Sequence, residues 1–428
     1  MFTKKTVKDL NVKGKRVLVR VDYNVPLTSG GKIEDDYRIT QSLPTLQYLL
    51  DKGAAIILCS HLGRPEGKVV PSMSLGPVAK RLHELLKLPV DFANDCVGQE
   101  TLEKAQALKP GQILLLENVR FHPEEEANDK KFAKELAALA DVFVQDAFGV
   151  VHHGAVSVSG LPKLLPSAAG LLLAKEVDTI TKVMREPERP MVAVVGGAKI
   201  ADKIDILKKF IEMADMVAIG GAMANTFLKA TGVDVAKSLV DDGELQIAKD
   251  IMAQAQSEAK ERDFVFFLPR DGVVAQKADK NTPTRIVDWG ALAVADIEHY
   301  PKRVPASASK VAANEKILDI GPFSGAFIAG SLQLAGTVIW NGTMGMAEVA
   351  GTQGPVGPYA HGTELIMEGM LGDFGHKPFS VVGGGDTVAY VQSRGLTDSF
   401  NHVSTGGGAS LELMAGRKLP GITALEDK

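Results

Sequence analysis

The segment FSVVGGGDTVAY, residues 379–390, is the part of the sequence that points most directly to the fold class. An apolar run leads into three glycines, an aspartate and a threonine, and the residues after them can continue as a helix. Glycines after a buried strand let backbone N–H groups approach an anion, and the positive end of the following helix dipole adds to the attraction. The segment therefore predicts a strand, a phosphate-binding turn and a helix in succession.

Together with this segment, four earlier apolar runs predict the strands of the second half of the chain. The predicted strands are 191–195, 216–219, 264–268, 337–340 and 379–382. The turns after four of them are rich in glycine: 196–197, 220–221, 341–342 and 383–385. The turn after the third run, 269–272 (PRDG), is the exception. Glycine at four strand ends suggests a nucleotide pocket lined by backbone.

Two lysines after the first of these turns add a more specific signal. The buried face of the helix predicted there consists of Ile200, Ile204, Leu207 and Ile211. Lys199 and Lys203 share an adjacent face in the first turn, where cations oppose the helix dipole, so the pair suggests a bound anion. A solvated pair of lysines is the alternative. Asp386 can be the N-cap of its own helix or a carboxylate that holds Mg²⁺ on a nucleotide phosphate, and the metal role is favoured.

The first half of the chain alternates apolar runs, at 16–21, 54–60, 113–116 and 142–145, with helical patterns. This predicts βαβ units around a parallel sheet, whose ligands lie beyond the carboxyl ends of the strands. Polar side chains follow each run: Asp22, Asn24 and Arg38; His61 and Arg64; Asn118, Arg120 and His122; Asp146, His152 and His153. Three arginines with several histidines predict a cup for a small, multiply anionic molecule. The run Glu124 to Glu126 is expected to be a solvated helix start.

The length of 428 residues predicts two domains, because one hydrophobic core rarely serves so long a chain. Segments 160–170 and 186–190, each with two prolines, flank a helix predicted from 171 to 184 and mark the connector. With 45% hydrophobic and 23% charged residues, the composition is that of a globular enzyme. The net charge is −4 and neither half is strongly basic, which argues against nucleic acid as a partner.

Several protein classes are excluded by missing motifs. The chain contains neither GxxxxGK[ST] nor GxGxxG, which argues against a P-loop NTPase and a nicotinamide-dependent dehydrogenase. A lone DFG at 373–375, without HRDxxxxN, does not indicate a protein kinase. No apolar run reaches the roughly 18 residues of a membrane span, and two cysteines, Cys59 and Cys96, suit a reducing compartment. We therefore expect a soluble, cytoplasmic protein without membrane partners.

The sequence closely resembles the phosphoglycerate kinase family over nearly its whole length. Nine motifs occur in the family's order, and together they are far more specific than any one of them. They are RVDYNVPL from Arg20, SHLGRP from Ser60, LLENVRFHPEE from Leu115, DAFG from Asp146, VVGGAKIADKI from Val194, DIGP from Asp319, WNG from Trp340, VVGGGDT from Val381 and HVSTGGGASLE from His402.

The resemblance implies an α/β protein of two Rossmann-like domains, each a parallel sheet flanked by helices, which face each other across a hinged cleft. Residues 1–165 would bind phosphoglycerate, 166–189 would connect the domains, 190–400 would bind nucleotide, and the tail 401–428 would return to the first domain. The implied glycolytic reaction is reversible phosphoryl transfer between 1,3-bisphosphoglycerate with MgADP and 3-phosphoglycerate with MgATP. The enzyme would act as a monomer.

Residues that match the family's motifs imply the site. The substrate-binding set is Asp22, Asn24, Arg38, His61, Arg64, Arg120 and His153. The nucleotide-binding set is Lys199, Lys203, Asn341, Glu348, Gly384, Gly385, Asp386 and Thr387, with Asp386 as the Mg²⁺ ligand. Arg38 and Lys199 would be the catalytic pair that neutralises the transferring phosphoryl group.

The sequence departs from the family's pattern at several positions. His153 stands where arginine is expected, and a histidine is only partly charged at pH 7 and lacks the bidentate fork of arginine. The other departures are Gln145, Ala155, Ala222, Asn225, Phe323, Thr343 and Ala347. They leave open the alternative of a catalytically weakened paralogue that binds phosphoglycerate or nucleotide.

Overall fold

The computed structural model describes residues 2–290, 310–352 and 356–428, and the chain divides into two compact units. Unit 1 comprises Met1–Thr181 and Gly416–Lys428, and unit 2 comprises Lys182–Ala415. Each unit contains a parallel sheet flanked by helices, which confirms the predicted α/β class.

Unit 1 is built on a six-stranded parallel sheet. Its strands are β1 (Arg16–Arg20), β2 (Ala55–Cys59), β3 (Val90–Phe92), β4 (Ile113–Leu115), β5 (Val142–Gln145) and β6 (Ser167–Ala169), in the order β3-β4-β2-β1-β5-β6. The structure confirms the four predicted strands. It adds β3 and β6, which were not predicted because each has three residues: β3 is an incompletely buried edge strand, and β6 contains only serine and alanine.

Helices cover the sheet of unit 1. They are α1 (Tyr37–Asp51), α2 (Gly76–Leu86), α3 (Gln99–Ala107), α4 (Pro123–Glu126), α5 (Lys130–Ala137) and α6 (Leu171–Arg185). Leu46 and Leu49 of α1 share one core cluster with Val17 and Val19 of β1. Strand β1 is a central strand of the parallel sheet, and such strands are apolar on both faces. Helix α6 coincides with the predicted connector helix and runs from unit 1 into unit 2.

Unit 2 contains a second six-stranded parallel sheet and a three-stranded antiparallel sheet. Its strands are β7 (Met191–Val195), β8 (Met216–Ile219), β9 (Val265–Phe267), β10 (Asp271–Ala275), β11 (Arg285–Asp288), β12 (Lys316–Ile320), β13 (Thr337–Asn341), β14 (Phe379–Gly383) and β15 (His402–Val403). The parallel sheet has the order β15-β14-β13-β7-β8-β9 and contains the five predicted strands. The antiparallel sheet, β11-β10-β12, was not predicted, because β10 begins inside the segment assigned to a turn.

The helices of unit 2 are α7 (Ile204–Met213), α8 (Gly221–Ala230), α9 (Leu245–Glu261), α10 (Pro322–Leu332), α11 (His361–Leu371), α12 (Gly385–Ser393) and α13 (Gly407–Met414). The predicted register of α7 needs a correction. A 3₁₀ turn, Ala201–Lys203, precedes the helix, so Lys199 lies outside it and does not share a helical turn with Lys203. The buried face is Ile206, Leu207, Phe210 and Ile211, and Ile204 is only partly buried.

The end of the chain returns to unit 1. Strand β15 and helix α13 belong to unit 2, and the segment from Gly416, which contains α14 (Pro420–Thr423), packs within unit 1. Lys4 forms an ion pair of 2.8 Å with Asp427, and the backbone N of Gly421 donates to the carbonyl of Val151 at 2.8 Å. Within the described residues, no helix combines the length and the apolar character that a membrane span requires.

Candidate functional site

Four neighbouring strands of unit 1 deliver polar residues to one edge of its sheet. Strands β4, β2, β1 and β5 are adjacent and parallel, so their carboxyl ends lie on the same side. Asp22 and Asn24 follow β1, His61 follows β2 and Arg120 follows β4. Hydrogen bonds link the segments that follow β1, β2 and β4.

Arg38 lies in the first turn of α1 and is held by the residues after β1. Its Nη1 donates to both carboxylate oxygens of Asp22, at 3.2 and 3.1 Å, and to the carbonyl of Asn24 at 3.1 Å. The side chain is 30% exposed. Because all of these contacts use Nη1, the rest of the guanidinium fork can meet an anion.

The loop after β2 is held on both sides. The side-chain oxygen of Asn24 accepts a hydrogen bond from the backbone N of Gly63 at 2.9 Å, and Arg120 Nη1 donates to the carbonyl of Gly63 at 3.0 Å. Asn118 caps the turn that carries Arg120, accepting from its backbone N at 3.1 Å. Asn24, Gly63 and Arg120 therefore form one connected group.

His61 is buried and is fixed in one tautomer by Arg20. Arg20 Nη2 lies 3.1 Å from His61 Nδ1, and because a guanidinium can only donate, Nδ1 must be the acceptor and Nε2 must carry the proton. Burial, with the charges of Arg20, Arg120 and Arg38, holds the pKa of His61 well below its usual value. Neutral His61 thus presents an N–H donor to an anionic ligand.

Sequence reasoning missed the buried group beneath His61. Arg20 Nε donates to Ser157 Oγ at 2.8 Å, and Ser157 Oγ donates to Glu125 at 2.5 Å. The expectation of a solvated run at 124–126 is therefore wrong for Glu125, which is 2% exposed. Burial raises its pKa, and the charge of Arg20 opposes that shift. No local pattern marks these three residues, because they are distant in sequence.

The remaining predicted substrate residues are less tightly held. Arg64 is exposed on the loop after β2. The rings of His152 and His153 lie 3.9 Å apart, His153 is exposed, and its charge is among the causes that lower the pKa of His61. Burial lowers the pKa of His152, and the charge of Asp22 opposes that shift. Nδ1 of His152 is buried without a hydrogen-bond partner.

Asp146 has a structural role instead of a place in the cup. Its Oδ1 accepts from the backbone N of Leu172 at 3.0 Å and of Leu173 at 3.1 Å, in the first turn of the connector helix α6. Burial raises its pKa to about 7, against the effect of these hydrogen bonds and one with Thr45.

In unit 2, a cavity of about 450 Å³ opens beyond the carboxyl ends of β7, β8 and β13. Gly197 and Gly221 line it where the first two strands end, and Glu348 and Asp386 contribute carboxylates. Apolar side chains, including Leu228, Leu318 and Trp289, complete the lining. Two of these lie on or next to the unpredicted antiparallel sheet, so the sequence pattern did not reveal this wall.

Gly196, at the end of β7, shows how closely two chain segments approach at this cavity. A Cβ added to Gly196 would lie 2.1 Å from the carbonyl oxygen of Thr343 and 2.7 Å from that of Gly342. Glycine is therefore required here by close approach, which supports a pocket wall made of backbone.

Lys203 lies beneath the glycine turns and does not project into solvent. Its Nζ donates to the carbonyls of Gly196 and Asn341, at 2.6 and 2.9 Å, and to Asn341 Oδ1 at 2.8 Å. These contacts use all three donors of the ammonium group. Burial lowers the pKa of Lys203 to about 8, and the charges of Asp386 and Asp202 oppose the shift. Lys199, in contrast, is exposed in the preceding loop.

The opening motif forms the predicted strand, turn and helix. Gly384, with φ of 90°, is the N-cap of α12, so the N-cap role considered for Asp386 is wrong. Asp386 is instead the second residue of the helix and is exposed at the cavity. Thr387 is buried, and its Oγ1 accepts from the backbone N of Gly342 at 2.7 Å. Asn341 Nδ2 is buried without a hydrogen-bond partner, which leaves a donor for a ligand.

Three departures from the family's pattern have visible environments. Asn225 is buried and donates to the carbonyl of Leu239 at 3.2 Å. The Phe323 ring lies 4.5 Å from the guanidinium of Arg270, and Thr343 lines the cavity. None of these contacts occupies the turn at Gly384 or displaces Lys203.

Comparisons with known proteins agree on one family. A model of the phosphoglycerate kinase family matches residues 7–417. A phosphoglycerate kinase of Moorella thermoacetica is 46% identical over 427 residues, covering 100% of both chains, and one of Dictyoglomus turgidum is 44% identical over 430 residues with the same coverage. The structure of phosphoglycerate kinase from Coxiella burnetii matches with a TM-score of 0.77 at 34% identity, covering 98% of each chain. The structure of phosphoglycerate kinase from Pyrococcus horikoshii matches with a TM-score of 0.79 at 29% identity. The match covers 99% of this chain and 98% of that one.

Proposed function

The chain belongs to the phosphoglycerate kinase family, and on that premise we propose how its residues carry out phosphoryl transfer. Its activity is reversible transfer of a phosphoryl group from 1,3-bisphosphoglycerate to ADP, which gives 3-phosphoglycerate and ATP. Nothing in the comparisons favours the alternative of a weakened paralogue.

The observation that carries the assignment of roles is the different chemistry of the two units. Unit 1 gathers guanidinium groups and a neutral histidine donor at one sheet edge, which suits a small molecule with a carboxylate and a phosphate. Unit 2 offers glycine turns, an apolar wall and several carboxylates around a cavity, which suits a nucleotide. Each unit would therefore bind one of the two substrates.

In unit 1, Arg38 and Arg120 would pair with the anionic groups of phosphoglycerate. Their geometry is set beforehand by Asp22 and by the Gly63 carbonyl. His61 would donate from Nε2, and Asn24, Arg64 and His153 would complete the set. Such prior fixing lowers the cost of ordering the side chains when substrate binds.

In unit 2, Gly384, Gly385 and Thr387 at the start of α12 would bind nucleotide phosphates, since backbone N–H groups and the helix dipole both favour an anion there. Glu348 and Asn341 would contact the rest of the nucleotide. Lys199, which is exposed, would be the lysine that meets the transferred group directly. Lys203 would act through its charge and by holding the carbonyls of Gly196 and Asn341 in place.

Asp386 fits Mg²⁺, because it is an exposed carboxylate at the cavity and Mg²⁺ prefers oxygen ligands together with phosphates and water. When bound, the ion would neutralise charge on the nucleotide phosphates.

The chemistry needs alignment and charge neutralisation more than a covalent role for the protein. In the direction of ATP synthesis, a β-phosphate oxygen of ADP attacks the acyl phosphate phosphorus. The P–O bond to the carboxyl group breaks as the bond to ADP forms, and the carboxylate leaves without a proton. Arg38 and Lys199 would neutralise the negative charge on the transferring group.

The test compares Arg38→Ala with Arg81→Ala, a change to a partly exposed arginine on α2 that pairs with Asp36 and Glu84. In a coupled assay of 3-phosphoglycerate phosphorylation, Arg38→Ala should lower kcat by about 10²- to 10³-fold, as for other lost transition-state donors. Arg81→Ala should retain wild-type kcat. Equal activity of Arg38→Ala and wild type would contradict the proposed role.

A further inference from the structure

A cluster of potential metal ligands lies on unit 1 and includes none of the residues proposed to bind either substrate. Asp95 and Cys96 are in the loop after β3, and His122 follows the turn after β4. Strands β3 and β4 are parallel neighbours, so the segments that leave their carboxyl ends meet at the outer part of the sheet edge. The fold therefore brings His122 next to Asp95, which lies 27 positions earlier in the sequence, and to the adjacent Cys96.

The three side chains are close enough to share one ion. His122 Nε2 lies 2.6 Å from Asp95 Oδ1, and one ligand atom from each of the three residues lies within 4.8 Å of the others. Zinc–ligand bonds of about 2.0 to 2.3 Å place tetrahedral ligands roughly 3.3 to 3.7 Å apart. Shifts of about 1 Å, chiefly of the exposed Asp95 side chain, would be enough to enclose an ion.

The surrounding contacts orient two of the ligands. The backbone N of Cys96 donates to Asp95 Oδ1 at 2.6 Å, and Thr101 Oγ1 donates to the carbonyl of Asp95 at 3.0 Å. The His122 ring packs against Phe132, with ring centroids 5.2 Å apart. Cys96 is fully buried, whereas the Asp95 side chain is 52% exposed, so an ion would meet the carboxylate first and would reach the sulfur only as the side chains shift.

We propose that Asp95, Cys96 and His122 form a binding site for a divalent transition-metal ion of the zinc class, with water as the fourth ligand. One sulfur, one imidazole nitrogen and one carboxylate oxygen are the ligands that Zn²⁺ accepts, and a thiolate does not suit Mg²⁺ or Ca²⁺. A thiolate and a carboxylate would balance the two positive charges of the ion. This site is distinct from Asp386, the residue proposed to hold Mg²⁺ in unit 2.

The first experiment titrates the full-length, magnesium-free protein with Zn²⁺ in competition with a chromophoric chelator. Wild type should bind one equivalent. Cys96→Ser and His122→Gln should each weaken that binding by more than about tenfold, since loss of even an outer partner of a metal ligand costs tenfold or more. Cys59→Ala removes the other thiol of the chain, and His83→Gln removes an exposed histidine on α2; both should retain the binding.

A second experiment uses Co²⁺ as a spectroscopic probe. A thiolate-to-cobalt charge-transfer band should appear in wild type and in Cys59→Ala and should be missing in Cys96→Ser, with circular dichroism confirming that each variant is folded. Unchanged zinc affinity in folded Cys96→Ser, or loss of binding in Cys59→Ala, would overturn the proposal. Without zinc, Cys96→Ser should phosphorylate 3-phosphoglycerate at the wild-type rate, which separates this site from the kinase reaction.

Discussion

At the scale of single residues, the site depends on groups whose state is set by burial. His61 is neutral because it is buried among arginines, and Lys203 has a lowered pKa because it is buried beneath glycine turns. Both residues were predicted from motifs, but their protonation was not, because it depends on neighbours such as Arg20 that no local pattern links to them. The motifs thus predicted candidate residues, whereas their protonation states became visible only in the structure.

Lys203 should make nucleotide binding depend on pH. Its pKa is about 8, so raising the pH from 7 to 9 removes a positive charge near the phosphates and should weaken MgADP binding. Lys203→Met should bind MgADP at least about tenfold more weakly at pH 7, because the carbonyls of Gly196 and Asn341 lose the ammonium donor. Its affinity should also lack the pH dependence of wild type. Calorimetric titration measures both effects. Lys209→Met, at a partly exposed position on α7, is the control. A pH profile of Lys203→Met identical to that of wild type would contradict the prediction.

His153 marks the clearest departure from the family's pattern among the residues proposed to bind phosphoglycerate. His153→Arg should lower KM for 3-phosphoglycerate several-fold, which corresponds to a binding free energy more favourable by about 1 kcal/mol. The reason is that a guanidinium adds a permanent charge and a bidentate fork. Steady-state assays at pH 7 measure this, with His83→Arg as a control outside the site. An unchanged KM would show that the cup of this enzyme functions fully with histidine.

At the scale of elements, the strength of the apolar pattern decided what could be predicted. Long buried strands such as β1 and β7 were found, whereas β3 and β6 are too short or too polar to stand out. The helix after β7 was predicted, but its start was placed too early, because a 3₁₀ turn precedes it. The antiparallel sheet was not predicted, because its strand β10 begins inside the segment 269–272, which was assigned to a turn.

The cap of helix α6 should give the enzyme a measurable pH dependence of stability. Asp146 has a folded pKa of about 7 and an ordinary value of 3.8, so between these values the folded state holds a proton that the unfolded state has lost. This group therefore destabilises the fold as pH rises, by about 1.4 kcal/mol per unit. Asp146→Asn keeps the acceptor oxygen without the proton.

The free energy of unfolding of Asp146→Asn, relative to wild type, should consequently increase from pH 5 to 6.5 in denaturant titrations. Asp141→Asn serves as the matched control. Hydrogen bonds from Arg16 lower the pKa of Asp141, so its difference from wild type should stay constant over that range. A constant difference for Asp146→Asn would contradict the assignment.

At the scale of the whole molecule, the order of the chain is more informative than either sheet alone. Nine motifs in order predicted two units and the division of substrates between them. The sequence could not show which residues of the tail join unit 1, because that depends on the edge strand β15, a strand of two residues. The part that packs within unit 1 begins at Gly416.

Removal of residues 416–428 should destabilise unit 1 selectively. Leu419 and Leu425 are 2% and 3% exposed, and burying two leucines contributes about 3 to 6 kcal/mol. A chain that ends at Ala415 should therefore bind 3-phosphoglycerate poorly while it still binds MgADP. Calorimetry with each ligand measures this, and Lys418→Ala, at an exposed position, should bind both normally. Equal loss of both ligands would show that the tail does not act on unit 1 alone.

The return of the chain to unit 1 also has a consequence for synthesis on the ribosome. Unit 2 is one continuous segment, Lys182–Ala415, whereas unit 1 is divided and its last part is translated after all of unit 2. A nascent chain that has just passed Ala415 therefore contains every residue of unit 2 but still lacks Asp427 and Glu426, the partners of Lys4 and Lys5. The unit whose first residues emerge earliest is the last to be completed.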